Sequence, residues 1–110
     1  MENGQASRVA RTESLFRDVN ERIAESTRRF GSDDASFVCE CADPTCTERV
    51  HAHLADYEDV REDGAQFLLV KGHEDDSFEE VVERHVQYNV VRKMAPAVRR
   101  MVERMNPRAA

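Results

Sequence analysis

The stretch Phe37-Val38-Cys39-Glu40-Cys41-Ala42-Asp43-Pro44-Thr45-Cys46 contains all three cysteines of this 110-residue chain. The β-branched and aromatic residues at its start predict a strand over residues 36–40, and Asp43-Pro44 predicts a turn after the second cysteine. Three thiols this close together can share one soft metal ion. The sequence therefore predicts a metal-binding loop at Cys39, Cys41 and Cys46.

A fourth ligand has to come from another part of the chain, because a tetrahedral structural site takes four donors. His73 is the preferred candidate, since it follows a short apolar run in a turn where Gly72 frees the backbone to aim the side chain. His51 and His53 share one face of a predicted strand and stay open as alternatives, although such polar faces are usually solvated. His85 lies on the apolar side of a predicted helix, which is typical of a core histidine.

Zinc is the predicted metal, because a Cys3His set suits a structural zinc site and closing the site stabilises a small core. A 2Fe–2S cluster is the alternative, since three cysteines and one histidine also ligate such clusters. The pieces Cys39-x-Cys41 and Pro44-x-Cys46 partly match the CDGSH iron–sulfur pattern, but that pattern has a more distant third cysteine, followed by Asp-Gly-x-His. Disulfides are disfavoured by the odd number of cysteines and by the strain of a Cys-x-Cys bridge.

A long amphipathic helix is predicted before the cysteine loop, over residues 6–30. Its apolar stripe consists of Val9, Phe16, Ile23 and Phe30, each seven residues apart, with Leu15 and Val19 beside them. A coiled coil would also need apolar residues at positions 12 and 26, which are the polar Thr12 and Ser26. Packing of the stripe on its own domain is therefore favoured over self-association. Gly31 and the turn-forming residues after it predict the end of the helix.

After the cysteine loop, short apolar and polar patterns predict a small, mainly antiparallel sheet. The alternation after Cys46 predicts a second strand with an apolar and a polar face, paired with the first as a hairpin. A short helix over residues 54–61 and a buried strand over 67–70 follow.

The last third of the chain contains one ambiguous segment. Ser77-x-x-Glu80 is a capping-box pattern that predicts a short helix, while a strand through Val81 and Val82 is the alternative because valine suits both structures. A strand over residues 88–92 and an amphipathic helix over 96–106 complete the pattern. The whole predicts one α+β domain over residues 1–110, with the metal site and sheet in 35–93.

Composition excludes several functional classes. No stretch reaches the roughly 20 apolar residues of a membrane span, and the first residues lack a leader pattern, so a cytoplasmic protein is predicted. Residues 31–80 carry fifteen acidic against three basic side chains, which disfavours nucleic-acid binding despite a basic C-terminal third. The modest aromatic content does not predict a pocket for a small-molecule substrate. No residue stands out as a general base, so the sequence does not predict an enzyme.

Separate pieces of the chain together resemble a family of small actinobacterial proteins. The pieces are Val19-Asn20-Glu21-Arg22-Ile23, Phe37-Val38-Cys39-Glu40-Cys41 with Cys46-Thr47-Glu48-Arg49-Val50, Tyr57-Glu58-x-Val60-Arg61, Gly72-His73-Glu74 and Tyr88-x-Val90-Val91-x-Lys93. This chain departs from the family pattern at Ala42, at Lys71 and at both strand histidines. The resemblance implies that Cys39, Cys41, Cys46 and His73 form one site, and it implies no activity.

The predicted function is that of a small zinc-binding protein whose structural site supports interaction with a protein partner or with itself. A redox or sensor protein that uses an iron–sulfur cluster or reactive thiols at the same residues is the alternative.

Overall fold

The computed structural model describes residues 3–109 and has three helices and five strands in that range. In chain order the elements are α1 (Asn3–Arg29), β1 (Asp34–Val38), β2 (Arg49–His53), α2 (Leu54–Arg61), β3 (Gln66–Leu69), β4 (Glu79–Arg84), β5 (Asn89–Lys93) and α3 (Pro96–Arg104). This confirms the predicted α+β fold with a long N-terminal helix and a C-terminal helix. The predicted domain also includes residues 1, 2 and 110, which lie outside the described residues.

The strands form two small antiparallel sheets. In the first, β1 and β2 make the predicted hairpin, with Phe37 opposite Val50. In the second, the order is β3-β5-β4. The amide of Glu40, two residues beyond β1, donates to the carbonyl of Leu68 on β3 at 2.9 Å, so the cysteine segment joins the two sheets.

The capping-box prediction of a helix from Ser77 is wrong, and the alternative strand is correct. β4 pairs with β5 over most of its length, with Val81 opposite Val91. The register shifts between Val81 and Glu83, which places a β-bulge at Val82 on the free edge of the sheet. Valine fits a half-buried sheet, and the backbone hydrogen bonds to β5 outweigh a local helical pattern.

Helix α1 ends where predicted, because Gly31 has a positive φ of 69° that a glycine adopts without strain. The face that it buries differs from the predicted apolar stripe. The buried positions are mainly small or polar, namely Ala6, Val9, Ala10, Glu13, Ser14, Arg17, Asn20, Ala24 and Thr27. Phe30 is 82% exposed and Leu15 is 63% exposed. Most of the predicted stripe therefore lies beside the buried face.

Charged side chains fix α1 to the rest of the fold. Arg17 donates to the carbonyls of Gly64 at 2.9 Å and Val102 at 2.8 Å, which docks α3 against α1. Buried Lys93 on β5 lies 2.7 Å from the carboxylate of Glu13 and also contacts that of Glu79. Such residues are almost never fully buried unless paired, so these contacts hold the three elements in one arrangement.

The remaining core is apolar and falls into two clusters. One contains Cys39, Cys41 and Phe67 with residues of α1 and α3, and the other contains stacked Phe37 and Tyr57, whose ring centroids are 4.4 Å apart. Within residues 3–109, none of the helices combines the length and apolarity required to span a bilayer.

Candidate metal centre

The fold brings Cys39, Cys41, Cys46 and His73 together at one end of the hairpin. One ligand atom from each residue lies within 4.8 Å of the other three. Cys39 and Cys41 are buried, while Cys46 and His73 are half-buried. The group predicted from the sequence therefore exists as a cluster of four donors that could hold a metal ion.

The cysteines are positioned by the end of β1 and by the turn that follows. The amide of Cys39 donates to the carbonyl of Glu48 at 3.0 Å, which continues the hairpin one residue beyond its last regular pair. The Asp43 carboxylate accepts hydrogen bonds from the amide and the hydroxyl of Thr45, at 2.9 and 2.7 Å. This turn returns the chain so that Cys46 faces the first two cysteines.

His73 reaches the cluster from the turn after β3. Gly72 has a φ of 92°, a conformation that side-chain-bearing residues rarely adopt, and the amide of His73 donates to the carbonyl of Val70 at 3.0 Å. The Nδ1 atom of His73 lies 3.5 Å from the sulfur of Cys39 and 3.7 Å from that of Cys46. The turn thus directs Nδ1 toward the thiols.

The other ring nitrogen of His73 has a carboxylate partner. Nε2 lies 2.8 Å from an Oε2 of Glu48. In metal sites, a carboxylate on the far nitrogen fixes the tautomer and orientation of a ligating histidine. Sequence reasoning did not identify Glu48, because nothing in the sequence shows that residues 25 positions apart meet.

The sulfur of Cys39 also accepts a hydrogen bond from a backbone amide. The amide of Val70 donates to this sulfur at 3.3 Å, and the backbone of Asp43 and of Glu48 acts to lower the pKa of the Cys41 and Cys46 thiols. Such bonds favour the thiolate over the thiol, which is the form that binds metals.

Hydrogen bonding within the cluster shifts the pKa values of two of the thiols in opposite directions. The bond between Cys39 and Cys41 lowers the pKa of Cys41 to about 5 and raises the pKa of Cys39. Burial raises the pKa of Cys46. The hydrogen bond between Cys39 and Cys41 therefore favours a thiolate within this pair.

Glu40 lies between the two buried cysteines in the sequence, and its side chain attaches the cysteine loop to the rest of the fold. Its carboxylate accepts hydrogen bonds from Arg61 at 2.8 and 3.2 Å, from Asn20 at 2.7 Å and from the amide of Leu68 at 3.0 Å. Alternation along the backbone points the side chains of Cys39 and Cys41 away from that of Glu40. The carboxylate thereby ties the metal loop to α1, α2 and β3.

The other three histidines lie away from the cluster. His51 and His53 are exposed on β2, and His51 contacts Asp34 at 3.2 Å, so the structure supports neither as the fourth donor. The prediction of a core position for His85 is wrong: it is half-exposed after β4, stacked on Tyr88 and 2.9 Å from a carboxylate oxygen of Glu83.

An open acidic cavity of about 450 Å³ adjoins Cys41 and His73. Its other lining residues are Ala42, Asp43, Glu74, Asp75 and Asp76. The carboxylates give this side of the cluster a negative potential that disfavours anionic ligands.

Fold and site together define a small α+β domain with a Cys3His cluster. No family model, curated protein or solved structure matches the chain.

Proposed function

We propose that the protein is a zinc-binding domain in which Cys39, Cys41, Cys46 and His73 hold one structural zinc ion. The observation that carries this proposal is the convergence of three sulfurs and one imidazole nitrogen within 4.8 Å. Donors at 2.0 to 2.3 Å from a tetrahedral zinc lie about 3.5 to 3.8 Å from each other. The Nδ1 distances of 3.5 and 3.7 Å to two sulfurs agree with that geometry.

The same spacing favours a single ion over a 2Fe–2S cluster. Such a cluster divides its four protein ligands between two irons, so ligands of different irons lie farther apart than ligands of one ion. All four donors here are close enough for one ion. Four protein donors also fill a tetrahedral shell, which is typical of a structural site, whereas a catalytic zinc keeps a position for water.

Metal content and visible absorption distinguish these assignments. Protein purified under nitrogen without added metal should contain about one zinc per chain and be colourless. Replacement of the zinc by cobalt should give the absorption of tetrahedral thiolate coordination. Iron with visible absorption would instead support the redox or sensor function, and metal-free native protein would contradict both.

Substitution of one ligand tests whether the metal is structural. Cys41→Ser should lose the metal and unfold or melt at a much lower temperature, because metal binding and folding are coupled in small domains. Ala42→Ser introduces the same hydroxyl one residue away and should keep both metal and stability. A normally melting Cys41→Ser protein would contradict the structural assignment.

A structural zinc supplies no chemistry of its own, so the proposed role is interaction with a protein partner or with a second copy of the chain. The predicted relationship to the small actinobacterial family agrees with this proposal and stays a prediction.

A further inference from the structure

Three of the four histidines of the chain line one cavity that is separate from the cysteine cluster. We call it the histidine cavity. It has a volume of about 330 Å³ and lies between β2, the first turn of α2 and the turn that joins β4 to β5. Its lining includes four side chains that can donate to a metal ion, namely His51, His53, Asp56 and His85. None of them belongs to the candidate metal centre.

The fold brings these four donors together from three parts of the chain. His51 and His53 are two residues apart on β2, so their side chains share the exposed face of that strand. Asp56 lies in the first turn of α2, which begins directly after His53. Tyr88 is buried in the core cluster that also contains residues of β2, and it stacks on His85 with the ring centroids 4.3 Å apart. The tyrosine thereby holds the third imidazole at the same cavity.

Two of the three imidazoles already have a carboxylate on one ring nitrogen. Nε2 of His51 lies 3.2 Å from a carboxylate oxygen of Asp34, and Nε2 of His85 lies 2.9 Å from one of Glu83. Neither carboxylate lines the cavity, so Nδ1 is the nitrogen of each ring that remains for a ligand there. A carboxylate on the far nitrogen is a usual outer partner of a metal-ligating histidine, and the same arrangement occurs in the candidate metal centre.

We propose that the histidine cavity binds one divalent transition-metal ion, such as nickel or zinc, through its three imidazoles and the carboxylate of Asp56. Imidazole suits these ions, and carboxylate oxygen is a further ligand that zinc accepts. Among the described residues, neither lysine nor arginine lines the cavity, so no cationic side chain competes with the ion there. This inference goes beyond the proposed function and does not depend on which metal the cysteine cluster holds.

The donors of the histidine cavity converge only when the ion binds. Within residues 3–109, the Cys3His cluster is the one group of three or more potential ligands whose donor atoms already lie within 4.8 Å of one another. His51 and His53 are exposed and His85 is half-buried, so rotation of their side chains can bring the nitrogens to an ion at about 2.0 to 2.1 Å. Ordering these side chains lowers the affinity below that of a preorganised centre. We therefore expect an exchangeable ion at this site.

Titration of nickel into the native protein, as purified and without an affinity tag, tests the proposal. Isothermal calorimetry should show one nickel ion bound per chain outside the cysteine cluster. His51→Ala, His53→Ala and His85→Ala should each weaken this binding at least tenfold, because each removes one donor. Gln87→Ala removes a neutral side chain from the same cavity and is the matched control, whose affinity should equal that of the native protein. None of the four side chains is buried, so the variants should fold normally.

Absorption and zinc content show where the nickel binds. Nickel at the cysteines would give thiolate charge-transfer absorption and release any bound zinc, and that result would overturn the proposal.

The variants supply the remaining outcomes. Absence of nickel binding, or an equal affinity in all the variants, would overturn the histidine site. Normal binding by His85→Ala alone would overturn it as well, because the two histidines of β2 would then suffice. Zinc-loaded protein that does not bind nickel contradicts the histidine site alone, whereas protein purified without metal that binds nickel in the cavity contradicts the zinc site alone.

Discussion

At the scale of single residues, the contact between His73 and Glu48 decides how well the cluster can hold a metal. Nδ1 points to the sulfurs only if the ring keeps one orientation, and the carboxylate on Nε2 at 2.8 Å holds that orientation. A ligating imidazole also becomes a better donor when a carboxylate accepts its other proton. In the proposed zinc site, Glu48 would therefore orient a ligand without itself contacting the metal.

We expect Glu48→Gln to weaken zinc binding by about 10- to 100-fold, because outer-shell partners of ligating histidines have effects of that size. Competition with a chromophoric chelator measures the affinity. Glu83→Gln removes a carboxylate that contacts His85 at 2.9 Å outside the centre, and its affinity should equal that of the native protein. Equal affinities for all three proteins would show that the Glu48 contact is incidental.

At the scale of elements, Glu40 joins the cysteine loop to three neighbouring elements. It is fully buried, and Arg61 opposite it is 4% exposed. Removing one partner of a buried ion pair leaves the other charge without compensation, which costs about 3 to 5 kcal/mol. The stability of the cysteine loop thus depends on a residue outside the four candidate ligands.

Glu40→Gln keeps the shape of the side chain but leaves Arg61 without a counter-charge, so we expect the free energy of unfolding to fall by about 3 kcal/mol or more. Urea denaturation with saturating zinc measures the change. Glu80→Gln, on the exposed face of β4, is the control and should stay within about 0.5 kcal/mol of the native protein. A Glu40→Gln protein as stable as this control would refute the anchoring role.

The sequence predicted the elements whose local pattern agrees with their tertiary setting. The hairpin, α2 and the four members of the cluster follow from alternation, turn residues and the chemistry of cysteine and histidine. The helix predicted at Ser77 was wrong because pairing with β5 decides that segment, and pairing is not visible in a local pattern. The buried partners Glu13 and Lys93 were missed because charged residues normally indicate a solvated surface.

At the scale of the whole molecule, the contact of Lys93 with Glu13 and Glu79 links α1, β4 and β5, and the burial of these two carboxyls makes stability depend on pH. Burial raises the pKa of Glu13 from 4.5 to about 8 and also raises the pKa of Glu79. A carboxyl with a raised pKa in the folded state favours folding while it is protonated. The stabilisation from Glu13 is therefore complete below pH 4.5 and is lost as the pH rises through about 8.

We expect Glu13→Gln to remove this contribution. The native protein should lose stability as the pH rises from about 4.5 to about 8, whereas the variant, whose amide does not titrate, should lose less. Chemical denaturation at each pH, with Glu25→Gln as the control on the exposed side of α1, isolates the effect of Glu13. The prediction fails if all three proteins show the same pH dependence.

Metal removal should also affect the entire fold, because Cys39 and Cys41 belong to the core cluster that contains residues of α1 and α3. A chelator should lower the melting temperature by about 10 °C or more, and zinc should restore it. Calorimetry before and after re-addition measures this change. An unchanged melting temperature in metal-free protein would mean that the core is stable without the ion.

The bulge at Val82 has a consequence for how copies of this chain meet. A regular outer strand would offer a row of unpaired backbone groups to which further strands could add without limit. The irregularity at Val82, together with the charged Glu80, Glu83 and Arg84, prevents such addition at β4. Straightening the strand by deletion of Val82 would create a flat template for strands of other copies, which is the geometry of fibrous aggregates.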